Sequence, residues 1–434
     1  MKVVVVGGGS TYTPELADGV ARLAGQVDVT ELALVDPDER RLSVVGPFSA
    51  RIMRALGHPG RVSWTADLDK GLDGAGAILL QLRVGGQAAR QRDETWPLEC
   101  GCIGQETTGA GGLAKALRTV PVVLDIAERA RRRADGSAWI IDFTNPVGIV
   151  TRALLDAGHR AVGLCNVAIG YQRQFAAMLE VAPDRVLLDH VGLNHLTWER
   201  AVLVDGKDRL PELLATGAEQ IAEHTGLPAD VTLKLGAVPS YYLRYYYDHD
   251  AVVQEERGAP TRAERVAGIE RELLAMYADP ALDRKPELLG QRGGAFYSEA
   301  AVALLASLTG DAGDTQVVNV RNAGTLPFLP DEAVIEVPAR VGADGASPVP
   351  VDPVEPLQRG LIAHVSAYEE LAVDAALRGG RDRVEAAMLA HPLIGQVDLA
   401  RRLTDLLISE NAGYLPWASG AAAAAGWGRG TGLG

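Results

Sequence analysis

Cys165, in Gly163-Leu164-Cys165-Asn166, and His195, in Gly192-Leu193-Asn194-His195, each offer a ligand to a transition metal, and both follow a glycine-rich start, Gly7-Gly8-Gly9. A thiolate and an imidazole from separate strand ends, with hydroxyl oxygens of a ligand completing the shell, suit Mn²⁺, Ni²⁺, Co²⁺ or Fe²⁺ in an open catalytic site. A metal and a dinucleotide in one pocket imply redox chemistry on a hydroxylated substrate. Singly, neither residue decides the matter. A cysteine after an apolar strand is commonly a small buried hydrophobe, and a lone histidine is commonly a satisfied core or surface residue.

In a Rossmann turn the glycines let the backbone approach a pyrophosphate, which then sits on the N-terminus of the following helix. Gly7 and Gly9 fit that pattern, with Ser10 and Thr11 in the same loop, but Tyr12 occupies the place of the third glycine. An ordinary tight turn therefore stays open on the motif alone. Asp36 closes the second apolar run, where a carboxylate can accept the adenosine ribose hydroxyls; this favours NAD over a form with a 2′-phosphate. Arg40 and Arg41 nearby keep the phosphorylated form in play, and a surface acid in the turn Asp36-Pro37-Asp38 is the structural alternative.

These residues need a scaffold, and the chain spells one out. Short apolar runs at 2–6, 31–35, 77–81, 139–143 and 161–164 alternate with helical stretches. That alternation predicts an α/β fold: an N-terminal Rossmann-like, doubly wound parallel sheet over residues 1–170. Thr13-Pro14-Glu15 reads as an N-cap, a first-turn proline and a first-turn acid. Beyond it, 184–194 and 196–204 read as paired strands and 211–277 and 357–389 as mainly helical, giving a second, α+β, largely helical domain over 171–418. Residues 419–434, alanine and glycine with almost no charge, read as a flexible tail.

With 434 residues, 47% hydrophobic and 23% charged, the chain is long enough for two packed domains. No apolar run reaches the ~20 residues of a membrane span, and Met1-Lys2-Val3 leads directly into a strand; a cytoplasmic protein is expected. A formal charge of -14 argues against nucleic acid and anionic membranes as partners. Three cysteines, Cys100, Cys102 and Cys165, cannot staple a chain this long, which fits a reducing compartment; the Cys100-x-Cys102 pair reads as a packed loop.

Ordered motifs extend the reading. They run from Gly7-Gly8-Gly9-Ser10-Thr11-Tyr12-Thr13-Pro14 through Arg83-Val84-Gly85-Gly86 with Arg90, Asp93 and Glu94 to Gly104-Gln105-Glu106-Thr107-Thr108-Gly109. Ala116-Leu117-Arg118-Thr119-Val120-Pro121, Asp142-Phe143-Thr144-Asn145-Pro146, Cys165-Asn166 and Gly192-Leu193-Asn194-His195 follow, then Tyr242-Leu243-Arg244-Tyr245-Tyr246-Tyr247 and Thr261-Arg262-Ala263-Glu264. In this series the chain, from Met1 to about Leu393, resembles glycoside hydrolase family 4, the NAD- and divalent-metal-dependent glycosidases. Asn166 after the metal cysteine looks like the 6-phospho-β-glucosidase branch.

The resemblance implies roles. Cys165 and His195 would hold the metal, Mn²⁺ first among the candidates. Asn145 and Asn166 would meet sugar hydroxyls, and Arg90 with Arg262 would bind the 6-phosphate. Tyr242 would be the base, with Tyr241 beside it as the competing assignment. Gln105 and Glu106 would belong to a loop closing over the nicotinamide, and Arg83 would approach the pyrophosphate or the sugar. The implied substrate is a phosphorylated disaccharide or β-glucoside such as cellobiose 6-phosphate, and the implied assembly a homodimer or homotetramer. The implied chemistry is elimination and addition: transient oxidation at C3 by NAD acidifies C2, a base removes that proton, the aglycone leaves, and water adds back. A tyrosine, with a reference pKa near ~10, can act as such a base only beside positive charge such as a metal or Arg244. Packing is the plain account of the Tyr245-Tyr246-Tyr247 run.

Two other classes share parts of this pattern. A 2-hydroxy-acid dehydrogenase of the lactate or malate type would use the first domain equally well but needs no thiolate-held metal, so chelator sensitivity separates it. A non-enzymatic NAD-sensing module has no use for a metal pair, and hydrolysis of a chromogenic 6-phospho-β-glucoside would dispose of it.

Overall fold

A computed structural model describes residues 1–294, 296–310 and 313–418; the 419–434 tail lies outside the described residues. The first half builds six parallel strands, β1 (Lys2–Val6), β2 (Glu31–Val35), β3 (Arg61–Thr65), β4 (Ala77–Leu80), β5 (Trp139–Asp142) and β6 (Ala161–Gly163). Their spatial order is β3-β2-β1-β4-β5-β6, the doubly wound order with its switch point between β1 and β4. Crossover helices α1 (Thr13–Arg22), α2 (Glu39–Ala55), α3 (Leu68–Leu72), α4 (Gly86–Thr95), α5 (Gly109–Arg133), α6 (Val147–Asp156) and α7 (Val167–Met178) connect or follow these strands. The four central valines of β1 are fully buried, as a strand covered on both faces requires.

The expected strand pair of the second half is present as β7 (Val186–Leu193) and β8 (Leu196–Val204). Further strands are β9 (Lys207–Asp208), β10 (Val238–Pro239), β11 (Asp314–Arg321), β12 (Val334–Gly342) and β13 (Gly345–Pro348). They extend the first sheet: β11 pairs antiparallel with β6, β12 with β11, β7 with β12, β8 with β7 and β10 with β8. The sheet therefore runs without a break from one half of the chain into the other. One contiguous apolar core follows it, reaching from Val3 to Leu415.

Three details differ from the sequence expectation. Strand β3 is an edge strand with half-exposed side chains, so it lacks an apolar run to announce it. Strands β11 and β12 have apolar runs interrupted by polar residues, among them Asn319 and Glu336. Helix α1 begins at Thr13, one position earlier than expected, so Tyr12 is the cap. The Thr13 hydroxyl accepts from Gln81 Nε2 at 2.8 Å instead of capping the helix.

Candidate active site

The carboxyl ends of β1, β4, β5 and β6 open onto a cleft of about 320 Å³, the position where open α/β sheets bind ligands. Gly7 leaves β1 at φ +88°, and a Cβ there would lie 2.7 Å from the Gln81 carbonyl oxygen, so only glycine fits this turn. Ser10 and Tyr12 line the cleft just ahead of α1. Asp36 is fully buried behind the loop, accepting from Gly9 N–H at 3.0 Å and Asp38 N–H at 2.9 Å, which rules out the surface-turn account. Burial pushes its carboxyl up to about 7 against those donors. Arg40 is exposed, whereas Arg41 donates from Nε to the Gly9 carbonyl at 2.9 Å; the second arginine of the pair is the one at the loop.

Sequence reasoning missed the residues that brace this loop. Arg292 donates to Thr11 Oγ1 at 2.7 Å, to Ser10 Oγ at 3.2 Å and to Glu270 Oε1 at 3.1 Å, and Glu270 lies 3.7 Å from Arg41. Arg292 and Glu270 stand in helical or irregular stretches with no motif of their own, so spacing could not have flagged them.

A second ionic cluster forms one wall of the cleft. Glu106 is buried and receives Lys115 Nζ at 2.6 Å, Arg83 Nη1 and, at 3.2 Å, Arg90 Nε. Burial alone would push its carboxyl up, but Arg83, Arg90 and Lys115 outweigh burial and hold it well below the usual carboxylate range. Burial in turn pulls the Lys115 ammonium down to about 7 against the attraction of Glu106. Glu106 is thus a counter-ion for three cations, and the sequence reading gave no sign of Lys115, whose neighbours in α5 are apolar. Arg90 also donates from Nε to Glu94 at 2.6 Å. Arg262, first residue of a helix (Arg262–Tyr277) held by a Thr261–Glu264 capping box, also lines the cleft and donates to the carbonyls of Gln291 and Arg292. Five cationic side chains line the cleft, and no Asp or Glu does so among the described residues.

Cys165 follows β6 and His195 sits in the two-residue turn between β7 and β8, at φ +61°, a conformation that costs a non-glycine residue roughly 1–2 kcal/mol. Tyr242, stacked on His195, feels the Cys165 charge, and Asn194, immediately before His195, and Tyr297 both favour the Cys165 thiolate. Cys165 itself is buried and borders a neighbouring cavity with Ala168, Gln172 and Val317. Burial pushes that thiol up to about 12 and pulls the His195 imidazole down to about 4, so the ring is neutral and carries a ligand lone pair at neutral pH. Thr107 Oγ1 meets His195 Nδ1 at 2.9 Å, leaving Nε2 for a ligand. Gln105, expected to close over a nicotinamide, instead accepts from Thr107 through Oε1.

Asn145 and Asn166 line the cleft with His195, and Asn145 Oδ1 is buried with no protein partner. The described residues hold no cluster of three or more His, Cys, Asp or Glu that could ligate a metal. A cation on Cys165 and His195 would therefore keep positions open for substrate oxygens, which is the form of a catalytic site.

The two tyrosines separate. The Tyr242 ring stacks on His195 at 3.6 Å with an interplanar angle of 8° and faces the cleft. Tyr241 is 41% exposed, and its hydroxyl accepts from Arg244 at 2.7 Å. Arg244, expected to support a phenolate at Tyr242, serves Tyr241; Arg90 is the cation that acts on Tyr242. Burial, then the Cys165 and Glu106 charges, push the Tyr242 phenol far above its ordinary value, with Arg90 opposing them. Tyr245 is buried and Tyr246 and Tyr247 are half-buried against the core, as packing residues. Cys100 and Cys102 are both free thiols.

Residues 2–181 match the model described as family 4 glycosyl hydrolase, and residues 190–394 match that of its C-terminal domain. The chain belongs to family 4 of the glycosyl hydrolases. It is 37% identical to a probable 6-phospho-beta-glucosidase of Bacillus subtilis strain 168, over 96% of this chain and 97% of that protein. It is 35% identical to the 6-phospho-beta-glucosidase of Escherichia coli K12, over 96% of each. Among solved structures, the 6-phospho-beta glucosidase of Thermotoga maritima with manganese, NAD+ and glucose-6-phosphate superposes with a TM-score of 0.88 at 31% identity, covering 96% of this chain and 99% of that one. Family 4 membership also accounts for the absence of carboxylates among the described cleft residues: most glycosidases flank the scissile bond with two acids, and family 4 is already known as an exception to that rule.

Proposed function

We propose that this chain hydrolyses 6-phospho-β-glucosides such as cellobiose 6-phosphate, with NAD and a divalent cation, Mn²⁺ first among candidates, as cofactors. The observation that carries the reading is the cleft itself: five cations, His195 with Tyr242 stacked on it, Asn145 and Asn166, and a nucleotide loop at its edge. The relatives that cover nearly the whole chain carry the same activity in their names.

In this reading Arg90 and Arg262 receive the 6-phosphate, whose adjacent oxygens match the two-pronged guanidinium. Asn145, with its unsatisfied Oδ1, and Asn166 hold the sugar hydroxyls and so fix which carbon faces the nicotinamide. The loop Gly7–Thr11 cradles the pyrophosphate, buried Asp36 braces that loop through Gly9 N–H, and Cys165 Sγ with His195 Nε2 would hold the cation. When bound, NAD supplies a hydride acceptor for C3 and the cation supplies positive charge to the neighbouring sugar oxygens. Tyr242 would take the C2 proton as a phenolate, which Arg90 and a cation bound at its stacking partner His195 would have to stabilise against burial and the Cys165 and Glu106 charges. Residues 1–170 form the nucleotide half and 171–418 complete the sugar site, in a cytoplasmic homodimer or homotetramer. No helix among the described residues is long and apolar enough to cross a membrane.

A panel of phosphorylated and plain β-glucosides, assayed with NAD⁺ and Mn²⁺ under reducing conditions, tests this. Turnover of cellobiose 6-phosphate, lost on chelation and with no net change in NADH absorbance, is expected. Equal turnover of unphosphorylated cellobiose would refute the specificity.

A further inference from the structure

A row of residues two positions before Cys165 and three before His195 links the two. Gly163 on β6 is opposite Asn319 on β11, Asn319 is opposite Glu336 on β12, and Glu336 is opposite Gly192 on β7. A Cβ at Gly163 would come within 2.8 Å of Asn319 Cβ, so the row closes up only with glycine there. Asn319 and Glu336 are fully buried.

Glu336 is the hub of this row. Its Oε2 accepts from Asn194 Nδ2 at 2.9 Å and from Asn319 Nδ2 at 2.8 Å, and its Oε1 meets His190 Nε2 at 3.1 Å. His190 Nδ1 is held in turn by Glu199 at 2.7 Å, directly across β7 and β8. An ionised carboxylate only accepts, so Glu336 compels Asn194 to turn its NH₂ end inward. Asn194 directly precedes His195 in the two-residue turn between β7 and β8, so this bond anchors the backbone that carries the imidazole. With the amide reversed, a carbonyl oxygen would face the Glu336 carboxylate and the anchor would be lost. On the ring itself, Gln105 fixes Thr107, and Thr107 fixes His195 through Nδ1.

We infer that Glu336, acting through Asn194, and Gln105, acting through Thr107, are positioning residues that hold His195 Nε2 toward the cation it would share with Cys165. Neither Glu336 nor Thr107 touches the cation or the substrate. The inference rests on the proposal that Cys165 and His195 hold the metal. Outer partners of metal ligands fix ring and amide orientation, and losing one weakens metal affinity by roughly ten- to a hundredfold.

The test is Mn²⁺ titration of the full-length chain saturated with NAD⁺, reading the free aquo ion by electron paramagnetic resonance. Wild type is compared with Glu336→Gln, Thr107→Val and, as a control for the ligand itself, Cys165→Ser. Glu336→Gln and Thr107→Val are expected to bind Mn²⁺ about ten- to a hundredfold more weakly while keeping wild-type NAD⁺ affinity, which a general loss of structure would not spare. If Glu336→Gln does not fold, Asn194→Ser reads the same limb. Wild-type Mn²⁺ affinity in a limb's variant, with Cys165→Ser impaired, overturns the assignment for that limb. No Mn²⁺ binding by wild type, or wild-type affinity in Cys165→Ser, refutes the metal-site proposal instead.

Discussion

At the scale of single residues, geometry separates groups that the sequence presents as equals. Tyr241 and Tyr242 are adjacent and chemically identical, yet only Tyr242 lies flat on His195 in the cleft. Tyr242→Phe is expected to lower kcat by roughly 10²–10⁴-fold and to abolish exchange of the C2 proton with solvent deuterium, whereas Tyr241→Phe stays near wild type; isotope exchange followed by NMR checks both. Glu106 illustrates what a motif can hide. The string Gly104-Gln105-Glu106-Thr107 suggests a mobile polar loop, but burial with three cations makes Glu106 an electrostatic keystone. Removing one partner of a buried ion cluster strands the others, so Glu106→Gln is expected to cost about 3–5 kcal/mol of stability at pH 7. The sign with pH follows from its depressed pKa: the carboxylate's contribution is full above the unfolded range near 4.5 and disappears as pH falls through the folded value. Urea unfolding of both proteins across pH should therefore show their difference shrinking below about 4.5, and a constant difference would argue for a purely steric effect.

At the scale of elements, strand ends and helix starts do the positioning. Cys165, His195, Asn145 and the nucleotide loop were legible because each sits just past an apolar run in a motif with distinctive neighbours. Arg292, Glu270 and Lys115 were not, since they lie within packed or irregular stretches and acquire their roles only through partners far away in the chain. The edge strand β3 escaped notice because half-exposed strands lack the continuous apolar signal of a covered one, and β11 and β12 because polar residues such as Asn319 and Glu336 interrupt their apolar runs. The helix that presents Arg262 depends on its cap, where Thr261 Oγ1 accepts from Glu264 N–H at 3.0 Å. Thr261→Ala is expected to cost about 1 kcal/mol and, by loosening the first turn, to raise KM for the phosphorylated substrate more than it lowers kcat. Steady-state kinetics beside thermal melting would show it; a pure kcat loss would contradict the phosphate role of Arg262.

At the scale of the whole molecule, the site belongs to neither half alone. The alternation of strands and helices announced the parallel sheet, and the pair β7–β8 was also visible in the sequence. That β11 and β12 insert between β6 and β7, making one continuous sheet, depends on pairings more than a hundred residues apart in the chain and has no local signature. This insertion places β6, which leads to Cys165, and β7, which leads to His195, in one sheet with two strands between them. The central claim is that these two side chains meet on a single divalent cation, and anomalous diffraction at the manganese edge from crystals grown with Mn²⁺ and NAD⁺ tests it most directly. One peak bonded to both Cys165 Sγ and His195 Nε2 is predicted; a peak that contacts neither, or separate peaks on each, would contradict it.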